Sequence, residues 1–245
     1  MEIKTILWRE WTFFKHRFWK ITRAQLITPL LYLITFGFGL GGRLSVEGQP
    51  YMFYLIPGLL AMTTMRNSYS AISMRVSVTR LHEKSFETFI YSPTRISRLA
   101  IGHILAGALR GVYSGIFVII MGMISGVDFP ISGWLILVIF LNSIIFAELG
   151  FFAAMVIDTH YDMNNFTNIV ITPMSFLCGT FFSLSEMPWF FRWIIELLPL
   201  THTTRLLRRI ILGYGIDTFS LIATLFFAAA LMVLSIRICY EEIKY

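Results

Sequence analysis

Apolar runs long enough to cross a bilayer dominate this chain and leave few folds open to it. Residues 134–157 carry one charge, Glu148, in 24 positions. A helix needs about 20 apolar residues to traverse a hydrocarbon layer of about 30 Å. Comparable runs lie near 26–41, 51–74, 99–125, 166–182 and 219–239. The expectation is an all-α integral membrane protein with six transmembrane helices in a single domain over residues 1–245. Charged residues make up 14% of the chain, against about 25% in soluble domains.

In such a chain the net charge of +6 reports topology and headgroup contact, and gives no reason to expect nucleic acid. Cys178 and Cys239 are not a disulfide framework. No ligand-spaced His/Cys cluster suggests a metal or a cofactor. The first twenty residues mix charges and aromatics throughout, unlike a cleavable signal peptide. No Gly-Lys pair occurs anywhere, so a phosphate-binding loop is excluded and ATP hydrolysis would have to come from another chain.

Residues 2–20 interleave Trp8, Trp11, Phe13, Phe14, Phe18 and Trp19 with Lys4, Arg9, Lys15, Arg17 and Lys20. That mixture suits an interfacial helix. Gly107, Gly111 and Gly115 recur every fourth residue in the third span and should let another helix backbone approach closely. Pro173 interrupts the fifth span.

Between spans two and three the chain turns polar. Residues 80–91 read as a short amphipathic helix, with Leu81, Phe86, Phe89 and Ile90 on one half and Arg80, Glu83, Lys84 and Glu87 on the other. Pro93 stops it. It is either an arm that a partner grips or a solvated loop helix lying on headgroups.

Residues 188–198 are apolar and aromatic but only about 16 Å long as a helix. Pro199 ends them, and 201–212 follow, with Gly213 placed as a C-terminal cap. Two short helices around a proline suggest a re-entrant hairpin over 188–212. A single span kinked at Pro199 is the alternative, made costly by Arg205, Arg208 and Arg209. Six Lys and Arg lie up to Arg23, five within 75–98 and two from Arg237 onward, while Arg43 stands alone among the opposite loops before the hairpin. Both termini and the arm are therefore expected in the cytoplasm, with the hairpin outward and its arginines an exception to the rule.

Four polar residues inside spans are candidates for a substrate pathway: Arg66, Asn67, His103 and Arg110. An arginine near mid-membrane costs about 3 kcal/mol on insertion scales and should face a bundle interior or a wet cavity. Structural pairing is the competing explanation for Arg110, and snorkelling a third option for Arg66. Asp158, His160 and Asp162 fall in one short polar turn, 158–165, where a structural role outweighs metal or proton chemistry. The phenylalanines are mostly packing or lipid-facing residues.

Several pieces together resemble the permease subunits of type-2 ABC exporters, especially the nodulation-factor, drug and polysaccharide branch. The arm reads Glu83-Lys84-Ser85-Phe86-Glu87-Thr88, then Tyr91-Ser92-Pro93. Ala108-Leu109-Arg110-Gly111 is similar to a pattern in that family's third span. Residues 176–182, Pro188-Trp189, Leu198-Pro199-Leu200-Thr201 and Arg205 resemble its exit from span five and its outward hairpin. Each motif is weak alone; their order and spacing across nearly the whole chain are more specific. Arg66 and the 158–165 turn match nothing in it.

The resemblance implies two copies of this chain working with two cytoplasmic ATP-binding cassette subunits in a bacterial inner membrane. ATP and magnesium would be held by those partners, with no catalytic, cofactor or metal residue here. It implies that 80–92 is the coupling helix, with Arg80, Glu83, Lys84, Ser85, Phe86, Glu87 and Tyr91 against the ATPase. Pro188, Trp189, Pro199 and Arg205 would mark the re-entrant pair. A second possibility is a non-pumping assembly factor that holds haem or a glycolipid for another enzyme, with His103 and His202 as candidate axial ligands. A membrane hydrolase ranks last, for want of a base–nucleophile pairing.

Overall fold

The computed structural model describes residues 2–39, 45–46, 48–81, 96–184 and 187–241, and they are almost entirely helical. Helix α1 (Glu2–His16) is amphipathic. Ile6, Glu10 and Phe14, four residues apart, are buried on one face, while Trp8 and Trp11 are exposed on the other. Helix α2 (Phe18–Tyr32) passes into a π-helical stretch, Leu33–Phe38. A two-residue hairpin follows, Ser45–Val46 against Gln49–Pro50, turning at Gly48.

Helix α3 (Tyr51–Leu81) is 31 residues long, or about 46 Å at 1.5 Å per residue. It packs most extensively against α4 (Ile96–Ile124) and α5 (Gly133–Val156). The glycines of α4 make that possible. A Cβ on Gly107 would lie 2.3 Å from Ile72, one on Gly111 1.9 Å from the Ser68 hydroxyl, and one on Gly115 2.9 Å from the Thr64 methyl. The close crossing expected at this stripe is therefore within one chain, between α4 and α3.

In place of a fifth span over 166–182, helix starts earlier and comes in three pieces that end at Leu177: α6 (His160–Phe166), a π-helical stretch Thr167–Ile171, and α7 (Thr172–Leu177). Pro173 has no N–H for the carbonyl of Ile169, and the widened ladder lies where that bond is missing. Helices α8 (Trp189–Glu196) and α9 (Pro199–Ile211) are separate. Leu198 is extended, at φ −93° and ψ 132°, and Pro199 opens α9, so the single kinked helix is not what forms. Gly213, at φ +77°, ends α9 by letting the Tyr214 N–H reach back to the Arg209 carbonyl at 2.8 Å. Helix α10 (Thr218–Glu241) closes the bundle against α5 and α9.

Among the described residues, four helices are long and apolar enough to cross a membrane: Phe18–Phe38, Ser97–Ile124, Gly133–Val156 and Thr218–Tyr240. The two other expected spans depart from expectation for physical reasons. Helix α3 has ample length, and most of its residues are buried against neighbouring helices. It carries buried Thr63, Thr64, Ser68, Ser73 and Ser77, whose hydroxyls dilute its apolar character. Residues 160–177 are interrupted by polar side chains and by Pro173.

Candidate coupling and pathway elements

One end of the candidate machinery is the foot of α3. Arg80 is the penultimate residue of that helix rather than part of a separate arm helix. Its guanidinium pairs with Asp158 at 2.9 Å and donates to the Ile157 carbonyl at 3.3 Å, tying α3 to the connection after α5. The other expected ATPase contacts, Glu83, Lys84, Ser85, Phe86, Glu87 and Tyr91, lie outside the described residues.

The polar turn at 158–165 is shorter than expected, because helix resumes at His160. Thr159 caps it, accepting from the Asp162 N–H at 3.0 Å and donating to the Asp162 carboxylate at 2.6 Å. Asp158 and Asp162 thus have structural partners. Among the described residues no group of three or more His, Cys, Asp or Glu side chains could hold a metal ion.

Helix α1 is fastened to this region by a residue that the sequence alone did not single out. Glu10 is only 4% exposed. Its carboxylate faces Arg75 of α3 at 3.2 Å, Arg110 of α4 at 3.6 Å and neighbouring Arg9 at 3.6 Å. The Phe13 ring lies 5.0 Å from the Arg75 guanidinium and 5.5 Å from that of Arg110. Arg110 therefore has the acidic partner that a structural role requires. Phe14 packs edge-on against Tyr113 at 5.0 Å, completing the α1–α4 contact.

The four pathway candidates separate into three environments. Arg66 and Asn67 line a polar notch of about 190 Å³ with Gln25, Thr28, Ser70 and Thr167, where α2, α3 and the 167–171 stretch meet. Asn67 also donates to the Thr63 carbonyl at 2.9 Å. His103 is buried and stacks on Phe151 at 6.3 Å. Arg110 belongs to the Glu10 cluster. His202 lies elsewhere, with a ring nitrogen 2.9 Å from the Glu196 carbonyl and Phe219 edge-on at 5.7 Å.

The opposite end of the candidate machinery is anchored to the same helix, α3. Tyr51 and Tyr54 donate to the carbonyls of Phe181 and Phe182 at 2.9 and 2.7 Å. Arg208 of α9 lies over the Tyr54 ring, 3.5 Å from its centroid, and donates to the Gly179 carbonyl at 2.6 Å. Gly58 admits the main chain of Thr180 so closely that a Cβ would come within 2.3 Å of its carbonyl oxygen. Deeper in, Asn142 of α5 donates to the Ala61 carbonyl at 3.0 Å and to Thr64 at 2.7 Å, and accepts from Thr203 of α9 at 2.8 Å. Buried polar groups joined in this way hold three helices in one register.

Within the hairpin, Thr201 donates to the Ile195 carbonyl at 2.6 Å and Arg205 pairs with Glu196. Pro199 starts α9 and Pro188 precedes α8. Trp189 is exposed with Phe190, Phe191 and Trp193. Tyr54, Arg75 and Asn142 are the structural participants besides Glu10 that sequence reading passed over, while Arg208 was recognised only as a charge costly to bury.

Comparison with known proteins agrees with this helical, membrane-suited architecture. The chain is 26% identical to the inner membrane transport permease YadH of Escherichia coli K12 over 236 residues, covering 94% of this chain and 91% of the relative. It is 29% identical to nodulation protein J of Bradyrhizobium diazoefficiens over 211 residues, covering 81% and 76%. It is 26% identical to nodulation protein J of Rhizobium meliloti over 192 residues, covering 78% and 73%. A profile of the ABC-2 type transporter matches residues 1–212, and the chain belongs to that family, as a membrane transport subunit.

Proposed function

We propose that this chain is the permease of an ATP-driven exporter. Two copies work with two cytoplasmic ATP-binding subunits to move a glycolipid, a polysaccharide or an amphipathic drug-like cargo out of the cytoplasm. The observation that carries this reading is α3 itself, in a chain of the ABC-2 family. One continuous helix is fastened at its first turn to the 179–182 loop and, through Arg208 on Tyr54, to α9, and at its last turn to Asp158. A helix held at both ends passes a pull on one end to the other without bending. In this mechanism ATP closes the partner subunits, which move the 80–92 arm. The arm moves α3 and α4, and the gap between two copies changes. Arg66 and Asn67, in their notch, are the pathway candidates that keep an open polar surface.

The reading places six crossings in a bacterial inner membrane, with α3 and the 160–177 segment joining the four apolar helices. Both termini are cytoplasmic, and α8 with α9 forms an outward re-entrant pair. Transport measured with a co-expressed ATPase tests it. Glu87→Lys and Phe86→Asp should abolish export while the protein stays inserted, and normal export by both variants would refute the arm assignment. Topology has a separate test. A cysteine at Leu197, 73% exposed, should react with a membrane-impermeant maleimide added outside only. Thr201 is a poor reporter because it is 1% exposed. Labelling from the cytoplasmic side would overturn the outward hairpin.

A further inference from the structure

The arginines of the hairpin break the charge rule that the other loops follow, and the fold gathers them. Arg192, Arg205, Arg208 and Arg209 line one cleft of about 280 Å³, with Tyr54, Ser183, Thr204 and Tyr214 among its walls. Among the described residues two carboxylates answer them: Glu196, paired with Arg205, and Asp217, which interacts with Arg205 and Arg209. Among the described residues, four guanidinium groups against two carboxylates are a surplus of two positive charges in a small volume.

Part of this cluster has a purely structural use. Arg208 holds the Gly179 and Tyr54 carbonyls, and Arg209 holds those of Tyr214 and Gly215 at 3.0 and 3.5 Å. Two features are left over. Arg192 stands exposed on α8 and lines the cleft, and it supports no loop among the described residues. Thr204, 1% exposed and lining the cleft, has a hydroxyl with no hydrogen-bond partner in the described structure. A buried hydroxyl without a partner costs about 1–3 kcal/mol, and a ligand oxygen would satisfy it.

We propose that this cleft is a binding site for a phosphate-class anion, carried either by the cargo as it leaves or by an outer-leaflet lipid headgroup. The inference rests on the outward hairpin proposed above. Guanidinium groups suit this ligand because their planar N–H forks match tetrahedral oxyanions in pairs, and Arg209 uses two of its five N–H donors in the bonds just given. An anion bridging Arg192 and Arg209 would relieve the surplus charge and accept from Thr204.

The test uses the full-length permease in phosphatidylcholine nanodiscs, without ATPase, with inorganic phosphate as the probe and chloride at equal ionic strength as the control. Phosphate should raise the thermal unfolding midpoint saturably. Arg192→Gln with Arg209→Gln should raise the half-saturating concentration roughly tenfold, whereas the corresponding lysine pair should keep most of the response. Arg192→Gln alone, which breaks no bond among the described residues, serves if the double variant does not fold, and it too should weaken the response. Discs containing phosphatidylglycerol separate the sources. Loss of the phosphate response there identifies a lipid headgroup, and its persistence identifies an anion delivered with cargo. A wild-type protein indifferent to both phosphate and phosphatidylglycerol, or glutamine variants that respond as wild type does, would overturn the site. Because no transport is measured, that failure would leave the export reading standing.

Discussion

Replacing Glu10 by glutamine isolates the charge that binds α1 to the bundle, since glutamine keeps the shape and loses only the carboxylate. In the wild type, Glu10 is nearly enclosed, with Arg75 at 3.2 Å and Arg9 and Arg110 at 3.6 Å. Removing one member of a buried ion pair costs about 3–5 kcal/mol, because the remaining charges lose their counterion in a low dielectric. Two features reduce that figure. The side chains of Arg75 and Arg110 keep 21% and 14% of their exposure, so water screens part of the loss. Phe13 continues to face both guanidiniums, which contributes about 0.5–1 kcal/mol each. The expected cost is about 2–3 kcal/mol.

The assay is SDS-induced unfolding in mixed micelles, run as a cycle with Arg110→Gln. Both single variants should destabilise, and the double variant by about 1–2 kcal/mol less than their sum, because Arg110 is no longer there to be left without its counterion, although Arg75 still is. Additivity within about 0.3 kcal/mol would show that Glu10 and Arg110 do not interact, and the account of α1 as an electrostatically latched helix would fail.

Three further outcomes follow from local geometry. Gly58→Ala should cost about 2 kcal/mol or more in the same unfolding assay, because its methyl group meets the Thr180 main chain, which cannot rotate away. Arg208→Lys should destabilise by about 1–3 kcal/mol and raise protease sensitivity in the 179–184 segment, since an ammonium cannot both cover the Tyr54 ring and reach two carbonyls. Asp217 supplies a pH dependence. Burial pushes its carboxyl up, but bonds from Ser220 and the charges of Arg205 and Arg209 outweigh that and hold it below the ordinary range. Its contribution is fully present above about pH 4 and is lost as pH falls through the lowered value. Asp217→Asn should flatten this acid limb in thermal unfolding followed by tryptophan fluorescence. An unchanged limb would show that the Ser220 bonds are not coupled to stability.

Much of the architecture was legible in the amino-acid order because the signals are local. Apolar length marks α2, α4, α5 and α10 as membrane helices, and the four-residue glycine repeat marks the packing face of α4. Pro199 and Gly213 bracket α9 because each limits the conformations of its own backbone. Arg110 could be recognised as needing a partner, since burial of a charge is costly anywhere in a bilayer.

Which partner it has depends on the packing of α1 against α4, one hundred residues further along the chain, and no local pattern encodes that contact. The same holds for α3. Its hydroxyl-rich sequence reads as a mediocre span, yet the tertiary structure encloses most of it, so Thr63, Thr64, Ser68, Ser73 and Ser77 are buried among neighbouring helices. The hairpin arginines looked like scattered exceptions to a topology rule until the turn at Leu198 folded α8 back beside α9 and brought all four into one cleft. Composition determined the solvent this chain lives in and the length of its helices. Helix packing decided which of its few charges meet, because ion pairs and clefts are made by residues that are near in space and remote in sequence.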